Sequence, residues 1–221
     1  MTTPAFDFEQ ARYNMVEQQI RPWDVLDQDV LDLLFVVRRE DFVPPAYRTL
    51  AFADFEIPLP NGDRMWTPKM EARVLQTLAL RPSDRVLEIG TGSGYFTALL
   101  ASNAADVVSV EIDAPTVERA RTKLAQAGFA NVRIEQGDGA RGYGPDSYDA
   151  IVLTGSTPVL PDRFVEQLRP GGRLFAVVGE PPVMTARIVR YSGPAARVSE
   201  DLFETVLQPL VNALAPERFV F

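Results

Sequence analysis

The sequence predicts an α/β fold: a mainly parallel sheet with helices on both faces and an antiparallel strand pair near its C-terminal end. Three observations carry this. From Arg85 onward, short apolar runs alternate with helical patterns, the texture of strand-helix-strand units in a parallel sheet. A glycine-rich turn, Gly90-Thr91-Gly92-Ser93-Gly94, joins the first of those runs to a helical stretch. Two β-capable runs, 185–191 and 197–206, flank Ser192-Gly193-Pro194, which reads as an antiparallel pair across a turn.

The elements follow in order. Phe8, Ala11, Met15 and Ile20 recur at helical spacing over 7–20, and Pro22 ends the pattern. Asp27 is a good N-cap for a second helix, with Val30, Leu31 and Leu34 on one face. Residues 41–61 carry Pro44, Pro45, Pro58 and Pro60 and read as loop with short extended pieces. Thr67-Pro68 opens a third helix, Thr as N-cap and Pro at the first helical position. Beyond it the pattern predicts strands over 86–89, 107–110, 132–134, 150–153 and 174–178, and helices over 96–101, 116–127 and 162–168. The organisation expected is an N-terminal helical and loop extension, 1–70, covering the active site of a core formed by 71–221.

Composition narrows the chemistry. With 221 residues, 46% of them hydrophobic, the chain can bury a sizeable core. A net charge of -8 makes a poor partner for phosphate backbones, whose binding rests on Lys and Arg; no nucleic-acid partner is expected. No apolar run approaches the roughly 20 residues of a membrane span. The start carries Asp7 and Glu9 rather than a basic and then apolar stretch, so neither a signal peptide nor a membrane partner is expected and the predicted location is cytoplasmic. There is no cysteine and no histidine. A disulfide framework, a Cys nucleophile, a Ser-His-Asp triad and a His-ligated zinc are thereby excluded. The acidic residues lack clustered ligand spacing, and no metal is expected. Chemistry falls to carboxylates, hydroxyls, Tyr, Lys, Arg, backbone groups or a cofactor that carries the reactive group itself.

The segment Val86-Leu87-Glu88-Ile89-Gly90-Thr91-Gly92-Ser93-Gly94-Tyr95 is a buried strand running into a glycine turn that opens a helix. Glycines let the backbone approach a ligand closely, and the helix start offers unpaired N–H groups to an anion. The dinucleotide pattern G-x-G-x-x-G/A does not fit, because Tyr95 stands at its third small position. Glu111 closes the second strand, 21 residues after Gly90, where an acid can accept hydrogen bonds from ribose hydroxyls. Asp138, in Gly137-Asp138-Gly139, follows the third strand. The plain readings of these acids are a solvated strand end and a turn residue. All three features lie at C-terminal strand ends, the edge where open α/β sheets bind ligands.

The G-x-G-x-G spacing with Glu88 two positions before Gly90 resembles motif I of class I methyltransferases. The segment 87–95, Gly137-Asp138-Gly139, Leu153-Thr154-Gly155-Ser156 and Gly171-Gly172, with Met15-Val16-Glu17-Gln18-Gln19-Ile20 and Arg38-Arg39-Glu40-Asp41-Phe42-Val43-Pro44 upstream, resemble the protein-L-isoaspartate O-methyltransferase family over roughly residues 12–180. The resemblance implies a Rossmann-like class I methyltransferase fold and S-adenosyl-L-methionine as cofactor, with S-adenosyl-L-homocysteine as product. It also implies transfer of a methyl group to the isoaspartyl carboxylate of damaged proteins or peptides. The implied cofactor residues are Glu88, Gly90, Thr91, Gly92, Ser93 and Gly94, then Glu111 and Ile112, then Asp138 and Gly139.

Two regions depart from the family. Aligned on Pro68, Trp66 stands where the family carries its substrate-side Ser, and Thr67 falls one position late. Thr67 is a candidate for the missing hydroxyl or simply a helix N-cap; Trp66 is a candidate pocket wall or a packing residue. The tail from Leu202 to Phe221 matches no family motif, and Phe203, Phe219 and Phe221 read as core or interface residues. Residues 41–62 are candidates for a lid. Two alternatives stay open, a same-fold methyltransferase with another acceptor and a cofactor-binding protein without transfer; a nicotinamide dehydrogenase is disfavoured by Tyr95. The oligomeric state is not legible.

Overall fold

The computed structural model describes residues 6–193 and 196–216. The core sheet takes strands β3 (Arg85–Ile89), β4 (Asp106–Glu111), β5 (Val132–Gln136), β6 (Tyr148–Thr157), β7 (Leu168–Glu180), β8 (Val183–Gly193) and β9 (Ala196–Glu204), in the spatial order β5-β4-β3-β6-β7-β8-β9. The strands from β3 to β7 run parallel and β8 and β9 antiparallel, as the sequence predicts. β3 lies between β4 and β6, so the chain reverses its direction of travel across the sheet there. Ligands bind at such a reversal, beyond the carboxyl ends of the strands.

Side-chain alternation along the strands builds a core on each face. Val86, Val107, Val152, Phe175 and Val177 point to one face; Leu87, Val108, Ile151, Leu174 and Ala176 point to the other. The first face carries α3 (Pro68–Leu78), α4 (Tyr95–Ser102) and α5 (Ala114–Gln126), together with α1 (Phe8–Met15) and α2 (Gln28–Val36). The second face is covered by α6 (Asp162–Glu166) through Phe164 and Val165. N-terminal residues such as Met15, Leu31 and Trp66 share one continuous cluster with Val74 and Phe175.

The predicted caps are present. Asp27 accepts from the Asp29 N–H and Thr67 Oγ1 from the Met70 N–H, with Pro68 at the first position of α3. Three boundaries differ from expectation. The helix over 7–20 becomes α1 followed by a wide turn over Val16–Ile20. The 41–61 segment contains a helical turn, Pro45–Leu50, which a proline at its start suits, beside the expected short extended piece, β1 (Ile57–Pro58), paired with β2 (Arg64–Met65) in a hairpin. The helix over 162–168 ends at Glu166, and Leu168 already belongs to β7. Phe203 packs edge-on against Trp23, 5.6 Å between ring centres; Phe219 and Phe221 lie outside the described residues.

Candidate active site

A cleft opens where the C-terminal ends of β3, β4, β5 and β6 meet, the edge at which open α/β sheets bind ligands. An inner recess adjoins it, sharing Trp66, Gly90, Gly92 and Thr154. Of the candidate residues, Trp66, Gly90, Gly92, Glu111, Ile112, Asp138 and Gly139 line the cleft. Glu88, Thr91 and Ser93 line the recess. Gly94 caps α4 from outside both cavities. Thr67 also lines neither cavity; its hydroxyl caps α3.

The glycine turn is shaped for close approach. Gly90 has φ +98°, and a Cβ there would stand 2.2 Å from Thr154 Oγ1. Thr154 Oγ1 donates across the switch point to the Gly90 carbonyl at 2.7 Å. It can reach it because the β6–β7 register shifts between Val152 and Ser156, an irregularity common beside active sites. Glu111 closes β4 with both oxygens engaged: Oε2 accepts from the Gly92 N–H and Oε1 from the Asp113 N–H, each at 3.0 Å. A carboxylate has about four acceptor sites, so Glu111 can still accept from a ligand's hydroxyls in the cleft. Asp138 is held by the Ala140 N–H at 3.0 Å and by Asn212 Nδ2 at 2.8 Å. Gly139 keeps the floor open, since a Cβ there would lie 2.7 Å from Ile89.

Glu88 acts from behind the turn. Its Oε2 accepts from Thr97 Oγ1 at 2.5 Å and Ser109 Oγ at 2.6 Å, and Ser109 Oγ meets Thr91 Oγ1 at 2.5 Å. Complete burial, with the Glu111 charge adding to it, pushes the Glu88 carboxyl up to about 8. Its role in this geometry is to brace the glycine turn.

Trp66 forms part of the wall. Its ring packs on Phe96 and Phe175, with centres 5.1 and 6.1 Å away. Arg39 fixes the Trp66 backbone, donating to the Trp66 carbonyl and to the Ala51 carbonyl at 2.7 Å each and pairing with the buried Glu71. Burial lifts the Glu71 carboxyl to about 7 against the pull of Arg39.

Sequence reasoning missed the roof. Leu207, Gln208, Pro209, Leu210 and Val211 cross the cleft as a strap. Ser156 anchors it: its N–H donates to the Gln208 carbonyl, its Oγ to the Leu207 carbonyl, and its carbonyl accepts from the Leu210 N–H. The hairpin residues Glu56, Leu59, Asp63 and Arg64 on the opposite wall were missed as well.

The family profile of protein-L-isoaspartate(D-aspartate) O-methyltransferases matches residues 10–214. The chain belongs to the protein-L-isoaspartate O-methyltransferase family. A family relative from Methanoculleus marisnigri is 44% identical over 169 residues, covering 76% of this chain and 77% of its own length. A protein-L-isoaspartate O-methyltransferase from Rhodopseudomonas palustris is 38% identical over a 221-residue alignment, 96% of this chain and 90% of the relative. A solved structure from Plasmodium falciparum, described as a protein-L-isoaspartate O-methyltransferase in complex with S-adenosyl-L-homocysteine, superposes with a TM-score of 0.76. At 18% identity, covering 93% of this chain and 98% of that one, it shows that the fold is shared.

The residues present fit the family's cofactor, S-adenosyl-L-methionine. Four carboxylates, Glu56, Asp63, Glu111 and Asp138, line the cleft and suit a ligand bearing a sulfonium and an ammonium group. Gly90 and Gly139 leave no room for a Cβ beside Thr154 and Ile89 at the cleft, and Ile112, 39% exposed, gives an apolar rim for a base. Among the described residues no group of three or more His, Cys, Asp or Glu could hold a metal ion, and no helix is long and apolar enough to cross a membrane.

Proposed function

We propose that the chain transfers the methyl group of S-adenosyl-L-methionine to the side carboxylate of isoaspartyl residues in proteins or peptides. The observation that carries this is the convergence of Gly90, Gly92, Glu111 and Asp138 on one cleft at the sheet's reversal point, in a chain of this family. When bound, the cofactor supplies an electrophilic methyl on a positively charged sulfur. Glu111 and Asp138 would hold its nucleoside end, and the N-terminus of α4 with the glycine turn its amino-acid end. The acceptor needs no base: a carboxylate with a pKa of about 4 is ionised at neutral pH. A chain without histidine is therefore equipped for the reaction. What the protein contributes is alignment, worth up to ~7–11 kcal/mol at the favourable extreme, and exclusion of water by the strap and the hairpin.

In this reading residues 1–70 cover the active site and 41–62 close over it, with Leu59 already at the cleft wall. The reaction suits a cytoplasmic enzyme. A second reading, methylation of a different carboxylate, is favoured by Trp66, whose buried ring occupies the wall at the family's Ser position. The test is incubation with cofactor and paired peptides differing only in an isoaspartyl or an aspartyl linkage. A methyl ester on the isoaspartyl peptide alone supports the proposal; cofactor binding without ester on that peptide favours the second reading.

A further inference from the structure

We propose that Arg64 is the residue that receives the acceptor's carboxylate, in place of a hydroxyl at position 66. This rests on the transfer reading above. The cleft wall is strongly acidic, with Glu56, Asp63, Glu111 and Asp138 facing one another across it. That wall attracts a cationic cofactor and repels an anionic acceptor. A carboxylate entering it needs a counter-charge, and among the described residues Arg64 is the only Lys or Arg lining either the cleft or the inner recess.

The geometry of Arg64 suits the task. It lies two residues before Trp66 on the hairpin, the spacing that puts side chains on one side of an extended strand, and both residues line both cavities. Its guanidinium has one ionic neighbour, Glu56, at 4.0 Å from Nε, beyond hydrogen-bond range. Among the described residues no hydrogen bond engages its terminal nitrogens, whereas Arg39 and Arg173 are each saturated by carbonyls and a carboxylate. An arginine with its fork unengaged can take a carboxylate through two parallel N–H···O bonds. Asp63 does not compete for it, being held by Asn61 and by Gln208 of the strap. Nor is Arg64 required for the cofactor's own carboxylate: the N–H groups of Gly90, Gly92, Gly94 and Tyr95 are already paired, but the first turn of α4 still offers N–H groups without intrahelical partners.

The experiment compares the wild type with Arg64→Gln and Arg64→Lys, measuring KM and kcat on an isoaspartyl peptide and, separately, calorimetric affinity for S-adenosyl-L-homocysteine. Arg64→Gln is expected to raise the peptide KM by about 10- to 100-fold, the range for losing hydrogen bonds to a charged group, while the affinity for S-adenosyl-L-homocysteine stays within about twofold. Arg64→Lys should recover part of the loss, keeping the charge without the fork. The side chain is 56% exposed, and unchanged cofactor-product affinity also reports an intact fold. An unchanged KM in Arg64→Gln alongside wild-type turnover overturns the assignment alone. An equal loss of S-adenosyl-L-homocysteine affinity overturns it by giving Arg64 to the cofactor. A wild type that binds S-adenosyl-L-homocysteine but neither binds nor methylates the peptide overturns the transfer reading and this assignment together.

Discussion

Arg39 holds the carbonyls of Ala51 and Trp66 and the carboxylate of Glu71 at once, and it is 1% exposed. Removing one partner of a buried pair typically costs about 3–5 kcal/mol, and here three buried acceptors would lose their donor. Arg39→Ala should lower unfolding stability by that order, read from the urea midpoint, and free the Trp66 backbone; a shift below about 1 kcal/mol would show that the pair is not a keystone. Glu111 poses a different case, because its two oxygens hold Gly92 and Asp113 while it also faces the cleft. Glu111→Gln keeps one acceptor and loses the charge. Its affinity for S-adenosyl-L-homocysteine should fall about 10- to 100-fold, measured by calorimetry, and an unchanged affinity would remove Glu111 from the site.

The element that completes the cleft is the strap over 207–211, which depends on the backbone of Ser156 and on its buried hydroxyl, bonded to the Leu207 carbonyl at 2.9 Å. Ser156→Ala leaves that carbonyl without its partner, at a typical cost of about 1–3 kcal/mol. The Leu210 amide should then exchange with solvent about tenfold faster or more; an unchanged rate would mean the backbone bonds alone hold the strap. The strap also marks where the sequence stops being legible. Gly90, Glu111 and Asp138 could be read because strand-helix alternation places the ends of successive strands at one edge. Leu207-Gln208-Pro209-Leu210 has no helical or strand period, and it is held by the backbone and hydroxyl of Ser156, distant in sequence. Arg64 was hidden for a related reason: only the hairpin pairing of Ile57 with Met65 turns a proline-rich loop into a wall. Trp66 and Thr67 could be seen to depart from the family, but their roles separated only when the fold put one on the wall and the other at a helix cap.

At the scale of the whole molecule, the glycine turn rests on a carboxyl buried with no cation beside it among the described residues. Glu88 is 0% exposed and its carboxyl lies near 8 in the folded chain, against 4.5 as its ordinary value. The folded state thus binds that proton more tightly than the unfolded one. The resulting stability is fully present below the ordinary carboxyl range and is lost as pH rises through about 8. Relative to Glu88→Gln, which cannot ionise, the wild type should therefore lose stability between about pH 5 and pH 8. Urea unfolding of both at several pH values checks this, and parallel curves would contradict it. Glu71, near 7 beside Arg39, adds a slope of the same sign that both proteins share.

Calorimetric titration of the wild type with S-adenosyl-L-homocysteine decides whether Gly90, Gly92, Glu111 and Asp138 build a cofactor site in the cleft at the sheet's reversal point. Saturable binding at one site per chain is expected, weakened in Glu111→Gln and retained in Arg64→Gln; no binding to the folded wild type would show that the cleft is not that site.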